Sequence, residues 1–487
     1  MKKPLAVLCT GLASLAISGC RIGPTYVRPS APTPPAFKEL PPAPYDSNAW
    51  RVASPAESAM RGEWWKDFHD SQLNGLESHV DEANQELKEA DAHYRTAVAF
   101  VKFHRADKAP TIDIAPFLGA ERESFNQPYF VKMLNDPNGV GDLSLPFSFN
   151  YEVDLWGRIR RQVEQAGDNA QATAADRENI RLSLHAAVAS DYFNLRAADA
   201  QDKLLRDTVT AYQEALQLTE DRFNGGAAPE SDVTQARTQL DAATVLETDI
   251  AVERAQFEHA IAVLIGEAPH ELNLPQTPLN VQPPDIPVVP GLLPAQLLER
   301  RPDIGAAERR MAAANEQIGI AKAAFYPQLN LAASAGVVGT SALNWFTWPA
   351  RFFSVGGAIS ETLYDHGRRA SLSEMARANY DASVASYRQT TLNAFGEVED
   401  NLAALRQLEI EQKQQREATA AAQSTLELFN TRYEGGVDAY LQVVISQTTL
   451  LQNQRNEIDI QSRRLDDTIS LYRTLGGGWN VSQLPKP

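Results

Sequence analysis

The side chain best suited to chemistry in this sequence is the thiol of Cys20, and its context predicts a covalent lipid. Lys2 and Lys3 precede an apolar stretch, Leu5–Ile17, which ends in Ser18-Gly19-Cys20. This order is typical of a secretory signal peptide, and the stretch is too short to span a bilayer of about 30 Å. Ile-Ser-Gly-Cys resembles a bacterial lipobox, so we expect residues 1–19 to be removed and Cys20 to be acylated. A plain signal peptide cut elsewhere is the alternative.

The same cysteine sets the expected location. Cys9 leaves with the signal peptide, so Cys20 is the single cysteine of the mature chain and no disulfide can form within it. Stable anchoring needs more than one acyl chain. Arg21 stands where an aspartate would resemble a signal for inner-membrane retention. We therefore expect a protein anchored by lipid to the bacterial outer membrane, with no cofactor other than the lipid on Cys20.

No group of residues in the sequence is suited to catalysis. Gly-x-Ser-x-Gly, His-Glu-x-x-His and the P-loop are all absent. His270-Glu271 begins like a zinc-protease motif but lacks the second histidine, and the eight histidines are dispersed. We therefore expect no enzyme, no catalytic residue and no metal site. A net charge of −17 argues against nucleic acid as a partner.

An internal duplication supplies the elements that must position any binding residues. Gly157–Gly266 and Gly367–Gly476 match without a gap at a shift of 210 positions. In this match, Arg222-Phe223-x-Gly225-Gly226 falls on Arg432-Tyr433-x-Gly435-Gly436. A gapless match of this length predicts one structural unit built twice.

Each copy is predicted to form two long helices joined at its Gly-Gly pair. No proline interrupts 158–228 or 368–475, and an interior proline would cost about 3 kcal/mol. Residues also recur every seven positions, as in coiled coils, although a soluble helical bundle would show a similar pattern. The recurring positions are Ala236, Ala243, Ile250, Phe257 and Leu264, and then Val444, Leu451, Ile458, Leu465 and Tyr472.

Ahead of the long helices, each copy is predicted to contain a β-hairpin, giving four strands in all. In the first copy, Thr111–Ile114 alternates, and apolar residues alternate with polar ones more clearly from Leu143 to Leu155. In the second copy, similar alternation runs from Leu329 to Val337 and from Phe353 to Leu363. Such strands fit a transmembrane barrel or a soluble sheet packed on helices. Four strands cannot close a barrel, and lipid does not tolerate open edges, so a barrel would require oligomers. A trimer would supply twelve strands and a tetramer sixteen.

The predicted organisation therefore has six parts. Residues 1–19 are the signal peptide and residues 20–62 a lipidated, extended, proline-rich tether. The first repeat spans 63–266, with strands at about 110–155 and long helices at about 157–266. A proline-rich linker covers 267–300. The second repeat spans 301–476, with strands at about 327–365 and long helices at about 367–475, and 477–487 form a tail. Trp64, Trp65 and Phe68 are expected to pack in a core.

The chain as a whole resembles the TolC family of outer-membrane efflux channels, in its lipoprotein branch of NodT type. The resemblance covers nearly the whole mature chain. It is carried by Gly19-Cys20-x-x-Gly23-Pro24-x-Tyr26, Trp64-Trp65-x-x-Phe68, Asp154-Leu155-Trp156-Gly157-Arg158-Ile159-Arg160-Arg161, Arg300-Arg301-Pro302-Asp303-Ile304-x-x-Ala307-Glu308, Phe325-Tyr326-Pro327, Gly367-Arg368-Arg369, Arg432-Tyr433-x-x-Gly436-Val437-Asp438-x-Tyr440-Leu441 and Leu475-Gly476-Gly477-Gly478-Trp479.

The resemblance implies a mainly α-helical protein with a membrane β-barrel. Three copies would form a 12-stranded β-barrel continued by a 12-helix α-barrel in the periplasm. Such channels are passive. They are implied to dock by their helix tips, at Gly225-Gly226 and Gly435-Gly436, onto a periplasmic adaptor protein. That adaptor connects to an inner-membrane pump, commonly of the resistance–nodulation–division class.

The resemblance also implies a gate at the helix tips. Tyr433 matches a tyrosine, and Asp232 its aspartate partner, that hold neighbouring helix pairs together in the family. Asp438 could join a ring of carboxylates that repel one another, although acids near helix starts are also favoured by the helix dipole. Many relatives carry acids where this chain has Gln442 and Ile445. An uncharged or apolar closure is therefore the alternative to an acidic one.

Three functions follow as hypotheses. The first is a passive exit duct for small toxic compounds or drugs. The second is a structural coiled-coil lipoprotein, and the third is an outer-membrane duct for secreted polypeptides.

Overall fold

The fold consists of two similar, mainly helical halves that share one β-sheet. The computed structural model describes residues 21–31, 34, 37–39, 62–122, 124, 126, 140–279, 299–479, 482 and 484–485. The signal peptide, Cys20, most of the tether and linker, and part of the tail lie outside the described residues. The helices are α1 (Ser71–Ala83), α2 (Gln85–Ala106), α3 (Arg158–Asn224), α4 (Glu230–Leu264), α5 (Pro302–Ala323), α6 (Arg368–Glu434) and α7 (Tyr440–Thr474).

The long helices repeat each other residue for residue. Helices α3 and α6 each have 67 residues, and α4 and α7 each have 35, with starts and ends separated by the shift found in the sequence. A helix of 67 residues is about 100 Å long. Gly157 and Gly367 precede α3 and α6 with φ of 81° and 84°, a left-handed conformation that glycine adopts without strain.

The seven-residue pattern marks the contact faces of these helices. In α4, Ala236, Ala243 and Ile250 are buried, while Phe257 and Leu264 are half-buried. In α7 the last four pattern positions are buried, from Leu451 to Tyr472. The helices of each pair therefore pack along the predicted seam.

An aromatic core joins the short helices to the long ones near mid-height. Trp64, Trp65 and Phe68 are 2%, 4% and 9% exposed, which confirms that they pack in a core. The Trp64 ring stacks on Tyr472 of α7 at 5.2 Å, and Trp65 stacks on His185 of α3 at 4.3 Å. These contacts fix the chain entering α1 against both repeats.

The sheet is antiparallel and connects the halves. Its strands are β1 (Thr111–Ile114), β2 (Phe117–Glu121), β3 (Val140–Val153), β4 (Gln328–Gly339) and β5 (Arg351–Ser360). β1 and β2 both pair with β3, β3 pairs with β4, and β4 with β5.

The prediction of four strands was wrong, because the first predicted strand is divided into two, β1 and β2. β1 and β2 face β3 in one continuous register, with Ile114 opposite Phe147 and Leu118 opposite Leu143. The interruption lies at Ala115-Pro116, where proline has no N–H to donate to β3. The two pieces therefore occupy the place of a single edge strand.

The register places most apolar strand residues on one face, although Phe117, Val338 and Phe352 lie on the other. Phe149 lies between Ile112 and Ala333, and Ala333 in turn faces Val355. The opposite face carries residues such as Asp113, paired with Ser148. No residue of the five strands is buried, and Phe353 and Val355 are 84% and 81% exposed. The alternative of a sheet packed on helices is therefore wrong for the described chain.

Candidate functional site at the helix tips

The two helical hairpins end in turns of identical backbone geometry. Gly226 donates its N–H to the Phe223 carbonyl at 2.9 Å, and Ala227 donates to Arg222 at 2.8 Å. The second turn repeats this pattern, with Gly436 donating to Tyr433 at 3.0 Å. Gly226 and Gly436 both have φ of 72°, which explains glycine at these positions. All four tip glycines, including Gly225 and Gly435, are exposed and available to a partner.

Behind the second turn, a small cluster joins the two hairpins. Tyr433 and Tyr440 are 7% and 3% exposed, and their rings lie 5.1 Å apart. They pack with Val443 of α7 and Ala236 of α4. The sequence-predicted Tyr433 thus lies between the hairpins.

Asp232 lies close enough to Tyr433 to act on it electrostatically. Burial raises the pKa of Tyr433, Arg222 opposes this shift, and the Asp232 carboxylate adds to it. Burial likewise raises the pKa of Tyr440 to about 12. Both tyrosines therefore remain protonated donors. The Tyr433 hydroxyl is buried without a well-formed hydrogen bond to any described residue.

Arg222, which was not selected from the sequence, makes a direct contact between the hairpins at the tips. Its guanidinium lies 4.5 Å from the centre of the Tyr433 ring, and its Nη1 donates to the Tyr433 carbonyl at 3.3 Å. A cation over an aromatic ring contributes about 0.5–2 kcal/mol. The repeat match was a usable signal, because Arg222 falls on Arg432.

The matching Arg432 is held differently. It forms an ion pair with Asp438 in its own turn, including a bond from Nη2 to Oδ1 of 3.1 Å. The hydrogen bonds from Arg432 hold the pKa of Asp438 below its ordinary value. The first turn has Ala228 at the position of Asp438. Arg222 has no such carboxylate in its turn and reaches across to Tyr433 instead.

The predicted positions Gln442 and Ile445 lie on the exposed side of α7. Val437, Leu441 and Ile445 are four residues apart and are 68%, 47% and 51% exposed. Leu441 and Ile445 lie one turn apart on the same face of α7, and Val437 lies in the turn before that helix; we call these three exposed apolar residues the tip stripe. The first hairpin has Ala227, Ser231 and Gln235 at the same places, so only the second tip presents this stripe.

At the opposite end of the helices, the chain following Cys20 is fixed where the sheet meets α3. Ile22 donates its N–H to the Trp156 carbonyl at 3.2 Å. Arg21 pairs with Glu164 and, at 3.1 Å, with Glu316. Cys20, the residue before Arg21, lies outside the described residues.

A buried ion pair supports this attachment and was not predicted. Arg161 is fully buried, and its Nη1 lies 2.6 Å from Oε2 of Glu316. Its Nη2 also donates to the Pro24 carbonyl at 3.1 Å. The partners are far apart in sequence, so no local pattern indicated the pairing.

The described part of the chain offers neither a metal site nor a helical membrane span. It contains no group of three or more His, Cys, Asp or Glu residues placed to bind a metal ion. Within those same ranges, every helix is too short or too polar to cross a membrane.

Known proteins resemble the chain over almost its full length. A family model described as outer membrane efflux protein matches residues 77–267 and 293–477. The solvent efflux pump outer membrane protein SrpC of Pseudomonas putida is 30% identical over 97% of this chain and 98% of its own. Outer membrane protein OprJ of Pseudomonas aeruginosa is 30% identical over 99% of this chain and 97% of its own. The structure of the outer-membrane channel OprN superimposes with a TM-score of 0.83 at 29% identity, over 94% of this chain and 100% of that one.

Proposed function

Because the chain belongs to the outer membrane efflux protein family, we propose that it acts as a homotrimeric, passive exit duct in the outer membrane. The family and its relatives are efflux channels of the outer membrane and are not enzymes. In this proposal, small toxic compounds or drugs leave through the duct. An inner-membrane pump drives them and a periplasmic adaptor connects the two.

The exposed two-faced sheet is the observation that carries the proposal. β3, β4 and β5 have 14, 12 and 10 residues, and about 9–11 residues of a tilted strand cross a bilayer. Exposed aromatic residues stand at the far end of the sheet, such as Trp348, and near the helices, such as Tyr364. Such positions suit the two interfaces of a membrane.

The free edges of this sheet support a trimer. β1–β2 and β5 each have a neighbour on one side within the chain, and lipid does not tolerate unpaired edges. If β5 of one copy pairs with the first strand of the next, three copies of four strand positions form a closed barrel of twelve. The twelve long helices of the trimer then continue the wall as a tunnel.

The fixed position of Arg21 supports a lipid anchor on Cys20. Arg21 and Ile22 are bound beside Trp156, where the apolar face of the sheet ends. Acyl chains on the preceding residue would enter the same membrane leaflet as that end of the sheet. The lipid anchor and the barrel would therefore place the chain at the same depth in the membrane.

At the tips, the contacts support a closure that combines a latch with an apolar constriction. Arg222 and Asp232 of the first hairpin both act on Tyr433 of the second. In the same turn, the Asp438 charge is neutralised by Arg432. The tip stripe supplies apolar side chains, and apolar rings close pores by excluding water. The exposed Gly-Gly turns are the surfaces proposed for the adaptor, and the pump is of the resistance–nodulation–division class.

The conductance of purified protein in planar bilayers tests the duct. A trimer that inserts in the correct orientation but gives no pore would leave only a structural coiled-coil lipoprotein. Drug accumulation in a deletion strain, compared with secretion of a polypeptide cargo, separates efflux from polypeptide export. Loss of secretion without drug accumulation would overturn the efflux function.

For the gate, we expect Asp232→Ala combined with Tyr433→Phe to raise the conductance. Glu230→Ala is the matched control, because it removes a carboxylate from the same helix turn without acting on Tyr433. Equal conductance of the double variant and the unaltered channel would place the closure elsewhere.

A further inference from the structure

A cavity lies between the two helical hairpins, behind their tip turns. Its volume is about 370 Å³, and small-molecule sites in proteins commonly measure about 300–1,000 Å³. Its lining comes from α3 of the first hairpin and from α6 and α7 of the second. We call it the inter-hairpin cavity and define it by buried residues of that lining, which are Tyr212, Thr219, Tyr433, Tyr440, Val443 and Gln447.

The buried part of the lining is mostly apolar or aromatic. The rings of Tyr212 and Tyr440 belong to it, and so do the aliphatic side chains of Val443, Leu450 and Leu451. Aromatic and aliphatic walls favour a ligand with an apolar body, because that body leaves water when it binds.

Two buried polar atoms of the lining lack a well-formed hydrogen bond to any described residue. They are the hydroxyl of Tyr433 and the amide oxygen Oε1 of Gln447, and the two residues are 7% and 9% exposed. The other buried hydroxyls differ, because Tyr212 accepts from Gln239 at 3.3 Å and Thr219 donates within α3 at 2.7 Å. A buried acceptor without a donor is destabilising. The Gln447 amide turns about a soft torsion, so its oxygen can meet an N–H donor in the cavity.

The charge of the lining selects the kind of donor. Glu214 and Glu434 belong to the exposed part of the lining. Among the described residues that line the cavity, none is a lysine, an arginine or a histidine. Arg222 lies over the Tyr433 ring without lining the cavity. A cleft lined by carboxylates alone attracts cations and repels anions.

The duplicated helices do not themselves require this polar lining. At the shift of 210, Tyr433 falls on Phe223 and Gln447 on Arg237. The matching helices have the same lengths although these side chains differ. The unpaired hydroxyl and amide are therefore specific to this cavity and are not needed to form the long helices.

We propose that the inter-hairpin cavity binds an organic ammonium ion, which is a protonated primary amine on an apolar body. The ammonium N–H groups donate to Oε1 of Gln447 and to the hydroxyl oxygen of Tyr433. Glu214 and Glu434 balance the positive charge, and the apolar body packs against Tyr440 and its neighbours. The bound ion contacts both hairpins and stabilises their present arrangement. This binding rests on the cavity and does not depend on transport activity.

Isothermal titration calorimetry of the full-length protein in detergent tests the proposal. The probe is phenethylammonium, and the comparison ligands are phenethyl alcohol, which is neutral, and phenylacetate, which is an anion. We expect one phenethylammonium ion to bind per chain, at least about tenfold more tightly than the alcohol, because its hydrogen bonds are charge-assisted. Phenylacetate should bind more weakly than either, because the carboxylates of the lining repel it.

Substitution of Gln447 tests the site itself. Gln447→Leu removes the unpaired acceptor and keeps a similar size, so it should weaken phenethylammonium binding about tenfold. Gln452→Leu is the matched control, because this glutamine of α7 is exposed and donates to Asn456 at 2.7 Å. Both variants are measured in the same detergent, so ligand that enters micelles affects them equally. Tyr433→Phe, which removes one hydroxyl, should also weaken binding and supplies the test if Gln447→Leu does not fold.

Hydrogen-exchange mass spectrometry locates the bound ion. Saturating phenethylammonium should protect peptides that contain Thr219 of α3 and Gln447 of α7, because the ion joins these helices. The strands of the sheet should exchange as before. The proposal is wrong if no saturable binding occurs, if phenylacetate binds as tightly as phenethylammonium, or if Gln447→Leu and Tyr433→Phe bind as tightly as Gln452→Leu. Protection confined to other parts of the chain would equally contradict it.

Discussion

The packing of α1 on α3 should weaken as the pH rises, because His185 of α3 contacts two carboxyl groups of α1. His185 is buried, with Nδ1 2.6 Å from Glu77 Oε2 and Nε2 3.3 Å from Asp81 Oδ1. Burial raises the pKa of Glu77 to about 7, against the opposing hydrogen bond to His185. Burial alone would lower the pKa of His185, but its hydrogen bonds to Asp81 and Glu77 raise it.

Both shifts act in the same direction on stability. A group whose pKa is higher in the folded state binds protons more tightly there, so its contribution is complete at low pH. That contribution is lost as the pH rises through the folded pKa. For Glu77, a rise from 4.5 to about 7 corresponds to about 3 kcal/mol at roughly 1.4 kcal/mol per pH unit.

Asp81 does not obscure this trend. Burial alone would raise its pKa, but hydrogen bonds from Arg181 and His185 hold the pKa below its ordinary value. Its contribution is therefore lost only as the pH falls below about 4. Between pH 5 and pH 8, this packing should respond to Glu77 and His185.

Hydrogen-exchange mass spectrometry of peptides from α1 measures the effect. After correction for the intrinsic exchange rate, protection should fall up to about 100-fold between pH 5 and pH 8. Glu77→Gln is neutral throughout and should remove most of this slope, with protection at pH 5 close to that of the unaltered protein. Protection that is constant or rises with pH, or a full slope in Glu77→Gln, would refute the reasoning.

Three further results are expected. Arg161→Ala should lower the free energy of unfolding by about 3 kcal/mol, because Glu316 stays buried. Adding Glu316→Gln should recover much of this loss. Denaturation in detergent, monitored by circular dichroism, measures both effects. Gly436→Ala should cost about 1–2 kcal/mol, because its φ is 72°, and should increase hydrogen exchange at that turn. Arg222→Ala should shift the closed–open equilibrium about fivefold toward open in single-channel recordings, from a contact of about 1 kcal/mol. Arg237→Ala, which removes an exposed arginine that pairs with Glu220 within the first hairpin, should not.

Periodic and repeated features of the fold could be predicted from the sequence. The gapless repeat and the absence of proline indicated long helices, and α3 and α6 run from the residue after Gly157 and Gly367. The alternation around Phe149 gave the face of the sheet on which each residue lies. The break at Pro116 was missed, because a single proline between two short apolar runs does not show whether the strand ends or continues.

The site was less accessible, because its contacts join residues distant in sequence. Tyr433 and Asp232 were selected through the resemblance, and the structure brings them near each other. Arg222 was not selected, although its match to Arg432 was visible. Its contact depends on how one hairpin packs against the other. The seven-residue pattern indicates which helix faces pack, but it does not give the offset of the two hairpins along their axes.

The unequal partners of these two arginines have a consequence for symmetry. A ring assembled from identical single hairpins would surround every tip arginine with the same neighbours, so all tips would be bound or free together. Joining two hairpins in one gene allows each position to mutate separately. Two differences, Ala228 against Asp438 and Phe223 against Tyr433, accompany the different contacts of the paired arginines. In the proposed trimer, alternate hairpins would then remain fixed while their neighbours move.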